Sequence, residues 1–274
     1  MNLLQRVSYN PLVTRVARTL RLRRILRRWY FRCARPPDGI LRIELGGINA
    51  QFKVRTPEEL RILGRAQPGH RERRILEILA RKQNNGGVVY DIGSNIGLYT
   101  IVLAKAAEAK GQVVAFEPEY RSHLRLQENL ELNALKNVRT FQVALGNCNG
   151  EAKLYFSDRD LVLSNVLRPR ESNATYQTVR IFEGDRIREA ENLPLPHTVK
   201  IDVEGFEYAV IHGFFRTLRD PTCKTVLCEV HPTLLPPGVT EHQIFQLLRL
   251  LGFDHIDVHR WNGIAEYQVL AFKA

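Results

Sequence analysis

Apolar positions from residue 88 onward alternate between two spacings. Short continuous apolar runs are typical of strands buried on both faces, and apolar residues three or four positions apart are typical of helices. The predicted strands are Val88–Ile92, Gln112–Phe116, Val138–Leu145, Thr198–Val203 and Thr225–Val230. The predicted helices between and after them are Leu98–Ala107, Tyr120–Leu132, Phe206–Leu218 and Glu241–Leu251. This alternation predicts a mostly parallel sheet covered by helices on both faces.

Two hairpins flank this region. Residues 40–55 read as two strands around Gly46-Gly47, and a helical pattern follows from Pro57 to Gln83. At the other end, His255–His259 and Gln268–Phe272 predict a closing hairpin that adds one antiparallel strand. A polar segment, 146–185, interrupts the alternation.

The predicted fold class is therefore α/β, with a doubly wound, mostly parallel, seven-stranded Rossmann-like sheet, a closing antiparallel hairpin and an N-terminal helical extension. Three units are expected along the chain. They are a basic amphipathic extension (1–37), a hairpin and helices packed on the core (38–87) and the domain of alternating strands and helices (88–274), which the motifs described below predict to bind a cofactor and carry the catalytic residues.

Charge is concentrated at the start of the chain. The net charge is +11, yet residues 1–36 contain ten arginines and no Asp, Glu or Lys, which leaves 30 basic and 29 acidic residues in 37–274. A nucleic-acid-binding face should extend onto the domain, so the neutral body makes nucleic acid an unlikely partner. The composition, 44% hydrophobic and 25% charged, excludes a disordered or disulfide-stapled chain.

The arginine-rich segment has an amphipathic pattern whose apolar stripe changes sides near residues 21–22. An Arg-rich segment containing Trp29 and Tyr30 favours contact with an anionic membrane surface. Passive packing on the domain, nucleic-acid contact and an organelle presequence are the alternatives.

The four cysteines, Cys33, Cys148, Cys223 and Cys228, lack the spacing of a zinc or redox motif. They are expected to be reduced thiols, which indicates a cytoplasmic protein, peripheral at the inner membrane face if the arginine segment binds lipid. No apolar run of membrane-spanning length is present, and arginines interrupt the apolar stretches near the start, so neither a spanning helix nor a secretory signal is expected.

The loop after the first predicted strand has the residues of a nucleotide-binding turn. Gly93 lets the chain turn beside a ligand, and Gly97 lets the helix start close to the sheet. Only two glycines occur where a dinucleotide fingerprint needs three, which disfavours a nicotinamide-dependent oxidoreductase. The acid before them, Asp91, suits a cationic ligand such as an amino acid's ammonium group. We assign Asp91, Gly93, Asn95 and Gly97 to cofactor binding.

Two further positions complete the predicted cofactor site. Glu117 ends the second strand, where a carboxylate can accept hydrogen bonds from ribose hydroxyls. Ala144 lies at the end of the third strand, where a backbone N–H could meet an adenine edge. An acid for the amino group, a glycine turn and an acid for the ribose together suit S-adenosylmethionine.

The stretch from about Glu72 to Leu270 resembles the FkbM-type methyltransferases, a class I S-adenosylmethionine-dependent family. The motifs that carry the resemblance are Asp91-Ile-Gly-Ser-Asn-Ile-Gly97, Phe116-Glu117-Pro118, Val143-Ala-Leu-Gly146, Lys200-Ile-Asp-Val-Glu-Gly-Phe-Glu207 and Glu229-Val-His231. The resemblance implies methylation of a hydroxyl on a sugar, a lipid-linked glycan or another small molecule. At Phe182–Asp185 the chain departs from the family's acidic pair, which puts a role for Asp185 in doubt.

Methyl transfer to an alcohol needs a base or a metal, because an alcohol is a poor nucleophile at neutral pH. His231 is the first candidate base, with Asp202 and Glu204 as alternatives. Asp202, also assigned to the cofactor site, could instead hold a divalent cation together with Glu229. Glu207 is interpreted only as a first-turn helix acid.

The polar segment contains Arg168, Arg170 and Tyr176, which could form a lid or recognise the acceptor. A mobile solvated insertion is an equal alternative. Overall, the sequence predicts an S-adenosylmethionine-dependent O-methyltransferase. The alternative is a nucleic-acid-binding protein or RNA methyltransferase that uses the arginine segment.

Overall fold

A seven-stranded sheet forms the centre of the protein. The structure is a computed structural model that describes residues 23–83, 86–155, 175–261 and 263–274, with side chains described from residue 29 on. The strands are β1 (Ile40–Leu45), β2 (Ile48–Lys53), β3 (Gly87–Ile92), β4 (Gly111–Phe116), β5 (Val138–Phe141), β6 (Ala144–Gly146), β7 (Gly150–Tyr155), β8 (Tyr176–Glu183), β9 (Thr198–Ile201), β10 (Thr225–Val230), β11 (His255–His259) and β12 (Tyr267–Phe272).

Helices cover the sheet and connect its strands. They are α1 (Arg23–Ala34), α2 (Pro57–Gly64), α3 (Arg71–Gln83), α4 (Leu98–Ala107), α5 (Tyr120–Leu132), α6 (Gly184–Ala190), α7 (Glu207–Gly213), α8 (Phe215–Arg219) and α9 (Glu241–Leu250). Short 3₁₀ turns occupy Glu108–Lys110 and Pro232–Leu234.

The strand order of the large sheet is β11-β12-β10-β9-β3-β4-β5, and only β12 runs antiparallel to its neighbours. The chain winds outward from β3 in one direction and then crosses to β9 on the other side. The carboxyl ends of β3 and β9 therefore diverge at a topological switch point, where open α/β sheets bind their ligands. The predicted fold class is confirmed.

Both faces of the sheet are buried, which explains the continuous apolar runs. Neighbouring strand residues point to opposite faces. Val89 packs in a cluster with Leu76 and Ile101, whereas Tyr90 packs on the other face with Val210 and Leu248. Because both faces are buried, β3 lacks strict polar–apolar alternation, and its one charged residue, Asp91, is buried as well.

The β1–β2 hairpin is tied to the rest of the fold through the C-terminal end of α5. Asn133 accepts a hydrogen bond from the Gln51 backbone N–H and donates one to its carbonyl, at 3.0 and 2.7 Å. Asn129 accepts from the Lys53 N–H at 2.9 Å. These amides satisfy backbone groups along β2, and Phe52 is fully buried against the core. The domain boundaries at 37 and 87 stay a prediction.

Three predicted elements differ from the structure. The single strand 138–145 is two strands, because the chain leaves the large sheet after Phe141 and β6 joins another sheet. The helix 57–83 is interrupted between Gly64 and Arg71, and the helix 206–218 breaks at Phe214. Local apolar spacing continues across each break, so the pattern alone does not reveal them.

The polar segment 146–185 is not one irregular excursion. Its described parts form a three-stranded sheet in the order β6-β8-β7, with β6 parallel and β7 antiparallel to β8. Leu154, Val179 and Ile181 are buried in it together with Ala144. Tyr176, a predicted lid residue, starts β8 and packs on Tyr155. Arg168 and Arg170 lie outside the described residues.

Most of the arginine segment also lies outside the described residues. The structure describes α1, which places helix at residues 23–34, but the change of apolar face near 21–22 precedes it. Attachment to a membrane surface and a cytoplasmic location stay predictions. Among the described helices, none has the length and apolar character needed to cross a bilayer. Cys33 and Cys148 are exposed thiols, and Cys223 and Cys228 are buried ones.

Candidate active site at the carboxyl ends of the parallel strands

A cavity opens beside the switch point between β3 and β9. Its lining includes Gly93, Asn95, Glu117, Ala144 and Asp202, which are five of the predicted cofactor residues. Further lining comes from the apolar side chains of Phe116, Val143, Leu145, Leu154 and Phe206, and from Arg61, Arg65, Ser94, Tyr99, Lys200 and Glu204. A single cavity thus collects residues from three strand ends and from α2.

Three residues of the glycine loop, Gly93, Asn95 and Gly97, have positive φ. Gly93 has a φ of 76°, and a methyl group added there would lie 1.8 Å from the backbone carbonyl oxygen of Asp202. Asn95 follows with a φ of 51°, and its side-chain oxygen accepts a hydrogen bond from the Ile96 N–H at 2.7 Å. Glycine at 93 is required both by this backbone conformation and by the approach of β9.

Glu117 links this loop to β4. Its carboxylate accepts hydrogen bonds from the Asn95 N–H at 2.7 Å and from the Glu119 N–H at 2.9 Å. Burial raises the pKa of Glu117 to about 7, although these two hydrogen bonds favour its ionised form. The carboxylate is therefore held rigidly at the cavity wall, in the position from which hydroxyl groups of a ligand can be bound.

Asp91 and Gly97 are not among the cavity-lining residues. Asp91 has no exposed surface, and its carboxylate accepts a hydrogen bond from Thr100 Oγ1 at 2.5 Å and pairs with Lys200 Nζ at 3.1 Å. Gly97 caps α4 against Leu126. In this structure Asp91 lies opposite Lys200 in the β3–β9 register and contacts it instead of the cavity, so a contact between Asp91 and a ligand ammonium stays a prediction.

Lys200 is the partner that sequence reasoning did not anticipate. Its ammonium donates a hydrogen bond to the Gly93 carbonyl at 2.7 Å and lies 3.8 Å from Asp202 Oδ2. Burial lowers the pKa of Lys200, but the nearby carboxylates of Asp91 and Asp202 raise it overall. Lys200 thus connects the glycine loop to β9. A lysine in an otherwise apolar strand was the available signal.

Three candidate catalytic side chains converge beside the cavity, which Asp202 and Glu204 line and which the buried His231 does not. His231 follows β10, and its Nε2 lies 3.9 Å from Asp202 Oδ1 and 3.7 Å from Glu204 Oε2. Its Nδ1 lies 2.7 Å from Glu207 Oε1, and because a carboxylate can only accept, Nδ1 carries the proton. Glu207, which has no exposed surface, thereby aims Nε2 at the two other carboxylates.

The backbone at Glu204 and Gly205 supports this convergence. Glu204 has a φ of 51°, and Gly205 has a φ of 100° with the Leu234 carbonyl oxygen in the space of a side chain. The Gly205 N–H donates to Glu207 Oε1 at 2.8 Å. This tight turn brings Glu204 back toward His231, and only glycine fits at its second residue.

Burial and mutual charge shift the protonation of this cluster. Burial lowers the pKa of His231, but the Glu207 hydrogen bond and the charges of Glu204 and Asp202 raise it to about 10. Burial raises the pKa of Glu204 to about 7. Burial by itself would raise the pKa of Asp202, but the positive charges of Lys200, His231 and Arg65 hold that pKa below its usual range. Without a further cation, the imidazole is positively charged at neutral pH.

Glu229, the proposed metal partner of Asp202, is placed differently. Its Oε2 lies 3.7 Å from Arg65 Nη1 and 3.3 Å from Gln268 Nε2. Arg65 also pairs with Glu72 at 3.4 Å. Among the described residues, the group able to share a metal ion is Asp202, Glu204 and His231, so Glu229 does not pair with Asp202 in that group.

Comparison with known proteins identifies the family. The model of the methyltransferase FkbM domain matches residues 91–254, more than half of the chain. The chain belongs to the FkbM methyltransferase family. The hexuronic acid methyltransferase AglP of Haloferax volcanii is 28% identical over 198 residues, covering 72% of this chain and 77% of AglP. Methyltransferase 1 of Beauveria bassiana is 26% identical over 143 residues, covering 46% of this chain and 57% of that protein.

Solved structures are similar at low identity. The FkbM methyltransferase of Methylobacillus flagellatus KT matches with a TM-score of 0.49 and 13% identity, over 69% of this chain and 44% of that one. TYW2 of M. jannaschii, solved in complex with AdoMet, matches with a TM-score of 0.41 and 15% identity, over 85% of this chain and 84% of that one.

Two site residues of this FkbM methyltransferase lie outside the matched region. Arg61 and Arg65 come from α2 and the residue after it, yet both line the cavity. A basic residue on a helix of mixed pattern gives no sequence signal of this placement. Asp185, in contrast, has a structural role. From α6, its carboxylate accepts hydrogen bonds from the Arg216 and Thr217 N–H groups in the first turn of α8, at 2.8 and 2.9 Å.

Proposed function

We propose that this FkbM methyltransferase uses S-adenosylmethionine to methylate a hydroxyl oxygen on a sugar or a similar small acceptor. The observation that carries the proposal is one cavity lined both by the glycine loop with Glu117 and by Asp202 and Glu204. A class I methyltransferase needs these two functions, nucleoside binding and hydroxyl activation, within reach of each other.

The cavity residues fit the cofactor. Gly93 lines the cavity where its turn passes against the Asp202 backbone, and Glu117 offers carboxylate oxygens to ribose hydroxyls. Ser94 Oγ and Tyr99 Oη are buried without a hydrogen-bond partner among the described residues, and both residues line the cavity. These residues, with Ala144 and its apolar neighbours, would hold the nucleoside, and the bound cofactor supplies an electrophilic methyl group.

The cluster of Asp202, Glu204 and His231 would prepare the acceptor. The hydroxyl proton must leave as the oxygen attacks, so a negative or basic group has to lie beside that oxygen. Glu207 fixes the imidazole so that Nε2 faces Asp202 and Glu204. The cluster therefore presents two carboxylates and one oriented imidazole to an acceptor, which suits the binding and activation of a hydroxyl.

A sugar is the acceptor class that we favour, and an acidic sugar is its most specific form. The relative AglP is named a hexuronic acid methyltransferase. In this chain, Arg61 and Arg65 line the same cavity as Asp202 and Glu204. Guanidinium groups are suited to binding a carboxylate, and one that already pairs with a carboxylate, as Arg65 does with Glu72, has further N–H donors. Both observations are compatible with a uronic acid, and neither is expected for a purely apolar acceptor.

Transfer of a labelled methyl group tests the proposal. Purified protein is incubated with methyl-labelled S-adenosylmethionine and a cell extract, which is then divided into lipid, glycan, protein and nucleic-acid fractions. We expect the label in the glycan or lipid-linked glycan fraction. After hydrolysis of that fraction to monosaccharides, we expect more label in hexuronic acids than in neutral hexoses. Glu204→Gln should lose transfer while retaining S-adenosylhomocysteine binding, and exposed Glu131→Gln is the control. Label confined to nucleic acid would favour the RNA methyltransferase alternative instead.

A further inference from the structure

The cluster of Asp202, Glu204 and His231 beside the cavity has the arrangement of a metal site. One donor atom from each of Asp202, Glu204 and His231 lies within 4.8 Å of the other two. Donors that share one divalent ion at about 2.0–2.3 Å stand roughly 3–4.5 Å apart. We propose that Asp202 Oδ1, Glu204 Oε2 and His231 Nε2 bind one divalent first-row transition ion, such as Mn²⁺.

The donor atoms are not committed to other contacts. The distances of 3.7 and 3.9 Å from His231 Nε2 are too long for hydrogen bonds, although the histidine is only 3% exposed. Within the described residues, neither the Asp202 nor the Glu204 carboxylate accepts a hydrogen bond. A buried imidazole nitrogen that faces two carboxylates without bonding to them is an arrangement that a shared cation completes.

Glu207 supplies the outer contact typical of a metal-bound histidine. Imidazoles that ligate through one nitrogen usually donate from the other to a carboxylate or a carbonyl, which fixes the tautomer. Here Nδ1 donates to Glu207 Oε1 at 2.7 Å. Glu207 is in turn held by the Gly205 N–H, so the orientation of the ring is built into the turn that carries Glu204.

The nearby basic side chains leave this cluster with excess negative charge. Lys200 is paired with Asp91 at 3.1 Å, and its ammonium faces the other oxygen of Asp202. Arg65 lies between Glu72 and Glu229, at 3.4 and 3.7 Å. Neither is recorded in contact with Glu204 or Glu207. Asp202, Glu204 and Glu207 share a single imidazolium, His231, as their counter-charge, and a divalent cation that replaces the proton on Nε2 would neutralise the remaining negative charge.

The donor set indicates the class of ion. One imidazole nitrogen with two carboxylate oxygens suits Mn²⁺, Fe²⁺ or Zn²⁺ better than Mg²⁺ or Ca²⁺, which prefer oxygen ligands alone. Three protein ligands leave coordination positions open, and Glu204 and Asp202 line the cavity. A hydroxyl bound there would be polarised beside the methyl donor. That catalytic use rests on the proposed function, whereas binding of the ion does not.

Mn²⁺ binding to the full chain tests the inference. EDTA-treated and desalted protein is titrated with MnCl₂, and free Mn²⁺ is measured by electron paramagnetic resonance without cofactor or acceptor. We expect one saturable equivalent that Zn²⁺ displaces. Glu204→Gln and His231→Gln should each weaken binding at least tenfold, whereas Glu229→Gln should change it less than threefold. Exposed Glu131→Gln is the surface control, and circular dichroism verifies that each variant is folded.

Three results would overturn the metal site. They are no saturable binding, equal binding by folded Glu204→Gln and His231→Gln, or a larger loss with Glu229→Gln than with Glu204→Gln. Methyl transfer separates this inference from the proposed function. Transfer that EDTA abolishes and Mn²⁺ restores supports both. Transfer that is insensitive to EDTA contradicts the catalytic use of the ion, whereas the Mn²⁺ titration alone decides whether the site binds it. Normal Mn²⁺ binding without transfer to any acceptor contradicts only the proposed function.

Discussion

The buried pair of Lys200 and Asp91 gives a quantitative test of the site's framework. Asp91 has no exposed surface, and its carboxylate contacts Lys200 Nζ at 3.1 Å and Thr100 Oγ1 at 2.5 Å. Replacing the lysine, Lys200→Met, preserves the approximate length of the side chain but removes the charge. Asp91 then remains buried without a counter-charge, and the Gly93 carbonyl loses its 2.7 Å donor.

Breaking a buried ion pair by removing one partner costs about 3–5 kcal/mol. For a domain of this size, that cost corresponds to a fall in Tm of roughly 6–20 °C. The double variant Asp91→Asn/Lys200→Met removes both charges, and the amide can still accept from Thr100. We expect it to recover much of the loss, with a coupling energy of about 2–3 kcal/mol.

The measurement is the free energy of unfolding from urea titration, followed by circular dichroism, for the wild type, both single variants and the double variant. Lys136→Met is the control, since Lys136 is exposed and such substitutions usually change stability by less than about 0.5 kcal/mol. A Lys200→Met protein as stable as Lys136→Met, or single-variant losses that simply add in the double variant, would refute the reasoning.

Three further predictions concern the loop, Glu117 and the hairpin. In Gly93→Ala, the added methyl group would collide with the carbonyl oxygen of Asp202, directly after β9, and the free energy of unfolding should fall by more than about 3 kcal/mol. Gly238→Ala is the control, because Gly238 has a similar φ of 84° but open space around it, and it should cost about 1–2 kcal/mol in the same urea titration. Because the pKa of Glu117 is raised to about 7, the ionised fraction of Glu117 falls about tenfold from pH 8 to pH 6, and the affinity for S-adenosylhomocysteine measured by calorimetry should fall by up to the same factor. Glu117→Gln should remove this pH dependence. If the variant kept the wild-type pH dependence, the ribose role of Glu117 would be contradicted. Asn133→Ala should cost about 1–3 kcal/mol and accelerate hydrogen exchange at the Gln51 amide, and unchanged exchange would show that the amide does not hold β2.

Much of the fold could be predicted, because a strand that is buried on both faces of a sheet appears in the sequence as a short continuous apolar run. The bounds of Leu98–Ala107, Tyr120–Leu132 and Thr225–Val230 agree with the structure. Helix breaks such as the one at Phe214 were missed, because a buried apolar residue at a break keeps the same apolar spacing as one inside a continuous helix. The glycine loop and Glu117 were predicted together, since turn residues and strand ends are recognisable in sequence.

The sequence by itself determined the alternation of strands and helices and the candidate residues at the strand ends. Tertiary structure decided which of them meet. It turned Asp91 toward Lys200, paired Glu229 with Arg65 and made Glu207 the partner of His231. Local spacing fixes only the face on which a side chain lies. Contacts between strand ends depend on sheet order, here β3 beside β9 and β9 beside β10, and that order comes from packing the whole chain.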